Sequence, residues 1–313
     1  MRRDWRYIAA IAALTIVAVV RVASTHRVFS EVLDEPAHLA AGFEWFHGIY
    51  TIDASHPPAA RILGALPLWL AGYPLPETRD MVQAGNELLY HGNRYVKTLA
   101  RVRVGNLLLL AIAIVATAAW ARRMFSDAVA IVAAALLTTL PPVLAHAGLM
   151  TTDLAALTAL PLALVALDRF LTTTGERKGP VILLGLAIGF GLLAKFSFLV
   201  FFPPCALLLL VARRAFPRWK EMAIAAAVAF VVVWSGYRFD WRTTQSYHGD
   251  YAVQTMESAA PKPLKPFARW AASSLPLPAP AFFVGLGMLQ SHNKDGHAAY
   301  LLGEVRSEGW WYY

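Results

Sequence analysis

Seven runs of strongly apolar residues, separated by short clusters of arginine and lysine, constrain this chain more than any other feature. A helix needs about 20 largely apolar residues to cross a bilayer, and in hydrocarbon every backbone polar group must be paired within the segment itself. The runs extend over Tyr7 to Ala23, Val104 to Ala121, Ala128 to Ala145, Leu154 to Phe170, Pro180 to Ala194, Phe196 to Ala212, and Met222 to Tyr237. The expected fold is all-α: a polytopic membrane protein with about seven transmembrane helices. Composition agrees, because a chain of 313 residues that is 58% hydrophobic and 15% charged, with a mean hydropathy of +0.49, is too apolar for an ordinary soluble domain. The fifth and sixth runs are short and are separated by Lys195 alone, which leaves open a tight hairpin or one broken, tilted element.

The formal net charge is +8, yet the cations lie between apolar runs rather than along one face. That pattern reads as a set of topology determinants, not as a nucleic-acid surface, and no nucleic-acid partner is expected. Arg2, Arg3 and Arg6, then Arg122 and Arg123, then Arg169, Arg177 and Lys178, then Arg213, Arg214, Arg218 and Lys220 fall at alternate ends of successive runs, so those ends are expected to be cytoplasmic. The loop from Ser24 to Arg103, the turn from His146 to Asp153, Lys195 and everything after Arg238 then face the extracytoplasmic side. The unusual polar residues are thereby expected to gather on one side. Residues 1–238 form the expected transmembrane module, with its first extracytoplasmic loop at 24–103, and residues 239–313 an extracytoplasmic loop region. The first run also resembles a signal peptide, with Val22-Ala23-Ser24 as a cleavage site, but six further runs favour a retained anchor. Cys205 has no partner, which excludes an intramolecular disulfide and a cysteine zinc site.

Within the first loop, Pro36 follows Asp34 and Glu35, placing both acids where a helix begins. The ensuing AHLAAGFEWF is amphipathic and aromatic, as in a helix lying in the membrane interface. A second helix is expected from Ser55-His56-Pro57-Pro58, with Ser55 as its cap, and its body from Ile62 to Leu70 is too short to span. Tyr73 to Glu77 reads as a turn. Pro141-Pro142 and Pro203-Pro204 should kink their helices, and Gly185, Gly189 and Gly191 suit close helix packing rather than a dinucleotide loop. Phe282 to Leu289 is again too short to span. The terminal GWWYY resembles an aromatic belt ahead of a further helix, so the chain is expected to continue in a longer protein.

Carboxylates beside a spanning helix are expensive and are functional candidates by default. Asp34 and Glu35 point in different directions from a helix start, which suits two separate jobs better than a shared proton. Near lipid, a carboxylate becomes a stronger base towards a hydroxyl or amine nucleophile. His38 lies one turn beyond Asp34, a spacing that allows a hydrogen bond or two ligands to one metal. His56 is either a helix-entry cap or a phosphate contact. His146 and Asp153 flank AGLMTT on the same side, and Asp153 doubles as a helix cap. Arg101, Arg103 and Lys195 are cations at membrane level, suited to an anionic phosphate or to snorkelling towards headgroups.

The arrangement resembles the polyprenyl-phosphate-sugar-dependent glycosyltransferases of the GT-C class, the superfamily of protein O-mannosyltransferases and lipid A aminoarabinose transferases. DEPAHLAAGFEWFHGIY and HPPAARILGALPL in the first loop carry the resemblance, with ARR before Met124-Phe125, HAGLMTTD at 146–153 and LLAKFSF around Lys195. GLGMLQSHNKDGHAAYLLGEVRSEGWWYY is similar to the extracytoplasmic loop of many bacterial members, which places the chain in a bacterial inner membrane. What the resemblance implies is inverting transfer from a polyprenyl-phosphate sugar to a protein, lipid or glycan acceptor. Asp34 is then the implied base and Glu35 an acceptor contact or loop-positioning group. Arg101 or Arg103, together with Lys195, would meet the donor phosphate, while His38, His56, His146 and Asp153 fall in the substrate site. No metal is required by that chemistry, because the leaving group already carries charge, although a divalent cation is compatible with it. Two other readings stay open: a non-catalytic lipid carrier or flippase, and an inactive truncated relative.

Overall fold

The computed structural model describes residues 5–173, 178–216, 218–295, 299–307 and 310, with the backbone course alone for 291–295. Arg2, Arg3, Arg177 and all of the terminal GWWYY but Trp310 lie outside the described residues. The chain divides into two compact units, Met1–Gly236 and Tyr237–Tyr313.

In the first unit, α1 (Trp5–Thr25) is followed by three shorter helices, α2 (Asp34–Phe46), α3 (Ala59–Leu70) and α4 (Met81–Tyr90). Then come α5 (Tyr95–Met124), α6 (Asp127–Leu137), α7 (Pro141–Ala147), α8 (Asp153–Thr172), α9 (Lys178–Ala194), α10 (Phe198–Arg213) and α11 (Trp219–Gly236). Among the described residues, four helices are long and apolar enough to cross a membrane, namely α1, α5, α8 and α11, and the bent pair α6 and α7 makes a fifth. All seven expected runs are helical, which makes the protein all-α and polytopic. With 17 and 16 residues, α9 and α10 are shorter than the usual span. They form the hairpin alternative, α10 turning back through Lys195–Ser197 so that Arg213 at its far end reaches Asp168 of α8.

Proline acts as expected in one place and not in the other. Pro141 and Pro142 occupy the first turn of α7 after a break at Thr138–Leu140, where the axis bends by 65°. α10, by contrast, continues through Pro203 and Pro204. The glycine run packs helices closely: a Cβ on Gly185 would sit 2.6 Å from the Ala225 carbonyl, and one on Gly189 2.5 Å from Val232. Side chains there would force α9 off α11.

Two sets of contacts define opposite ends of the bundle. At one end Arg122 of α5 stacks on Tyr7 of α1, and Arg123 of α5 pairs with Asp168 of α8. At the other lie the first loop, the start of α8 and the α9–α10 turn, with Trp45 of α2 donating to the Gly236 carbonyl at 2.6 Å. The buried core follows the small and branched apolar residues of α1, α5, α8 and α9, among them Leu110, Ile114, Ala159 and Leu184.

The first loop departs from its expected form in three ways. α2 is buried along most of its length, covered by α3 and α4, rather than presenting one face to an interface, because its polar residues are satisfied internally. α3 begins at Ala59, and Ser55 does not cap it but donates to Asp53. α4 has no counterpart in the expected elements; Asp80 caps it by accepting from the backbone N–H of Val82 and Gln83.

The second unit contains α12 (Gln245–Ala259), α13 (Lys265–Ser274) and α14 (Pro280–Asp295). Two small antiparallel ribbons accompany them: β1 (Trp241–Arg242) with β2 (Leu277–Pro278), and β3 (Ala299–Leu301) with β4 (Glu304–Arg306). The apolar part of α14 is short, as expected.

Candidate functional site

Glu35 and Arg103 form the frame of the site. Both are about 1% exposed, and their pairing is bidentate, Nε to Oε1 at 2.8 Å and Nη2 to Oε2 at 2.7 Å. Glu35 also accepts from the backbone N–H of Met150 at 2.8 Å and of Val32 at 3.0 Å. Arg103 gives its remaining hydrogens to the carbonyls of His26, Phe29 and Ser30. A guanidinium has five N–H donors, and all are committed here. Arg103 is therefore an anchor, with no donor left for a phosphate. Nearby, Asn106 donates to the carbonyls of Leu149 and Thr151, so the turn that carries His146 and Asp153 is held on α5 from two directions.

A second buried arginine organises the histidines. Arg61 of α3, missed in the sequence, donates through Nε to His38 Nδ1 at 3.2 Å, through Nη1 to the carbonyls of Asp53 and His56 at 2.7 and 3.0 Å, and through Nη2 to the Asp53 carboxylate. His38 Nδ1 is thus an acceptor, which puts the imidazole hydrogen on Nε2. Burial, the Arg61 charge and His56 together hold His38 down to about 2, so the ring stays neutral. For Asp53, burial pushes the carboxyl upward, but Arg61 and His56 outweigh it and hold it below the usual range. His56 contacts Asp53 at 3.2 Å and Ser55 at 3.0 Å, and its ring meets that of His38 edge-on with centroids 5.0 Å apart. Asp53 takes a positive φ of 48°, which a non-glycine residue adopts at a cost of roughly 1–2 kcal/mol. Ser55, His56 and Arg61 hold it there.

Metal-ligating atoms of His38, Asp53 and His56 lie within 4.8 Å of one another. The donor set does not fit a divalent cation: Arg61 already supplies a positive charge to His38 and Asp53, and the lone pair of His38 Nδ1 is already taken by Arg61. The close backbone approach of α2 and α3 that makes the cluster rests on Gly42, where a Cβ would lie 2.3 Å from the Arg61 carbonyl oxygen.

The third group stands at the start of α8. Asp153 pairs with Lys195 Nζ at 2.6 Å and faces His146 Nδ1 at 3.5 Å. Lys195 is also close enough to His38 to disfavour charge on that ring, which links this pair to the Arg61 cluster. Asp153 and Lys195 sit at the head of a groove of about 670 Å³ whose walls are mostly apolar, including Leu157, Leu160, Leu164 and Phe201, with Thr117 and Ser197 among them. From Asp153 to Leu164 the groove follows α8 for roughly 16 Å.

The remaining expected residues are placed differently. Asp34 is exposed in the first turn of α2, one turn before His38, and makes no ion pair among the described residues. Arg101 is also exposed, but it lines another cavity, between α1 and α5, together with His26, Arg27 and Lys97. The expectation that polar residues gather at one end needs a correction as well. Asp168, fully buried at the opposite end, bridges Arg123 at 2.5 Å and Arg213 at 2.7 Å. The available signal for both Arg61 and Asp168 was an ionisable residue inside an apolar run, AARILGAL and LALVALDRFL.

Residues 96–236, from α5 through α11, match the family model described as dolichyl-phosphate-mannose-protein mannosyltransferase. Asp34, Glu35, His38 and His56 precede the matched segment, whereas Arg101, Arg103, His146, Asp153 and Lys195 lie within it. Comparison with curated proteins and with solved structures finds no match. The matched segment, which holds the spanning helices α5, α8 and α11, is thus similar to the GT-C-type membrane glycosyltransferases of the dolichyl-phosphate-mannose-protein mannosyltransferase family.

Proposed function

We propose that the protein transfers a sugar, with inversion, from a polyprenyl-phosphate carrier to a hydroxyl or amine of an extracytoplasmic protein, lipid or glycan. The observation that carries this reading is the ion pair of Lys195 and Asp153 at the head of an apolar groove. A lipid-linked phosphate has a charged head and a long apolar tail, and the groove offers a cation to the one and a dry wall to the other.

In this mechanism Asp34 takes the proton of the acceptor as its oxygen or nitrogen attacks the anomeric carbon. The bond from that carbon to the phosphate oxygen breaks, and the polyprenyl phosphate leaves with the electron pair. Lys195, steered by Asp153 and His146, stabilises the charge that develops on the leaving group. Neutral His38 offers its Nε2 hydrogen to the sugar or phosphate, and His56 stands beside it. Glu35 contributes by holding the loop that presents Asp34, which fits its burial against Arg103. Phosphate binding falls to Lys195 rather than to Arg101 or Arg103.

The test is transfer by the purified full chain, in lipid nanodiscs, from radiolabelled polyprenyl-phosphate sugars. The expected result is labelled acceptor, or slow release of free sugar when acceptor is absent. A protein that binds these donors but neither transfers nor hydrolyses any of them would instead be a lipid carrier.

A further inference from the structure

We propose that the cavity between the ends of α1 and α5 is a second anionic site, taking the phosphate of a membrane phospholipid rather than that of the sugar donor. The cavity measures about 460 Å³ and is lined by His26, Arg27, Lys97 and Arg101 over an apolar floor that includes Val104 and Leu107. Among the described residues, no carboxylate pairs with the side chains of Arg27, Lys97 or Arg101, and all three are exposed. His26 supplies an independent sign of a ligand. It is 4% exposed, the Ala100 backbone lies beside its ring, and its Nε2 is a buried polar atom with no hydrogen bond of full geometry among the described residues. Such an atom costs free energy unless something else meets it.

Depth favours a lipid phosphate over a free one. α5 has 30 residues, about 45 Å of helix, whereas the hydrocarbon core is about 30 Å thick. With the apolar run starting at Val104, Arg101 stands roughly 5 Å and Lys97 roughly 10 Å beyond it along the axis, which is the depth of the headgroup layer. The apolar floor below them suits the first carbons of an acyl chain. A basic pocket between spanning helices is a physically reasonable headgroup site. This inference needs the membrane embedding of the chain and not the glycosyltransferase mechanism, since Lys195 and Asp153 line a different cavity.

The experiment measures lipid retained by the full chain in native mass spectrometry, after purification with phosphatidylglycerol or phosphatidylcholine, and repeats it with inorganic phosphate alone. The expected result is one tightly held phosphatidylglycerol, at least tenfold less of it in Arg27→Gln/Lys97→Gln, and recovery in Arg27→Lys/Lys97→Arg. Lys195→Gln should retain the lipid fully. Equal retention in the double glutamine variant would overturn the site. Loss in Lys195→Gln would place the lipid in the donor groove instead, and competition by millimolar inorganic phosphate would show a free-anion site.

Discussion

Glu35 accepts two hydrogen bonds from the Arg103 guanidinium, at 2.8 and 2.7 Å, and a third from the Met150 backbone at 2.8 Å. Three segments distant in sequence, the first loop, α5 and the turn before α8, are therefore closed on one carboxylate. Breaking a buried ion pair from one side leaves an uncompensated charge, at a cost of about 3–5 kcal/mol. Glu35→Gln should lower the thermal unfolding midpoint in detergent by many degrees. The double variant Glu35→Gln/Arg103→Met should be less damaged than the two single changes added together. A midpoint for Glu35→Gln within a degree of the parent would remove the anchoring role.

Asp34, one residue earlier, should behave in the opposite way. It is exposed and has no ion-pair partner among the described residues, so Asp34→Asn should leave the unfolding midpoint unchanged. Loss of a general base should instead lower the transfer rate by about 10²–10⁴-fold with little change in donor affinity. Transfer by the asparagine variant at the parent rate would show that another group takes the proton.

Lys195 is expected to act on donor binding. A charge-assisted hydrogen bond contributes about 1.5–3 kcal/mol, so Lys195→Gln should weaken binding of polyprenyl phosphate by roughly ten- to a hundredfold. Lys195→Arg should recover part of it, because the pairing with Asp153 survives. Titration of lipid phosphate into nanodisc-embedded protein measures both, and equal affinities for all three proteins would reject the donor groove.

Acid should destabilise the protein early. His38 is held down to about 2 when folded, against about 6.5 for an unfolded histidine, so the unfolded state binds the extra proton between those values. Its contribution to stability is complete above pH 6.5 and declines as the pH falls, by about 2 kcal/mol between pH 7 and pH 5. Asp53, held low by Arg61 despite its burial, adds a loss of the same sign only below about pH 4. The unfolding midpoint should therefore drop between pH 7 and pH 5 in the parent and drop less in His38→Gln, whose carbonyl still accepts from Arg61, while His26, also lowered by burial, keeps a loss of the same sign. A flat parent curve would mean that His38 is protonated in the folded state.

The apolar runs were legible because a bilayer demands length and apolar composition, and both are local properties. The reading of Gly185 and Gly189 as a packing surface succeeded for a similar reason, since small residues in a spanning run have few other uses. The first loop was harder. AHLAAGFEWF has the pattern of a helix with one wet face, yet α3 and α4 cover it, and its polar residues take partners remote in sequence, as Glu44 does with Arg79. The choice between Arg101 and Arg103 could not be made from spacing: two residues apart on a helix, they face different ways, one into a carboxylate and the other into an open cavity.

The sequence by itself determined an all-α membrane protein, the approximate helices, and an acidic motif at the start of α2. Hydrophobic periodicity and the cost of unpaired backbone in lipid dictate these within one segment at a time. The tertiary structure alone decided that Glu35 is an anchor while Asp34 stays exposed, that Arg61 rather than a metal organises His38, Asp53 and His56, and that Lys195 heads a groove with Asp153. Those outcomes depend on which charges are buried together, and burial of a charge is settled by partners that come from elsewhere in the chain.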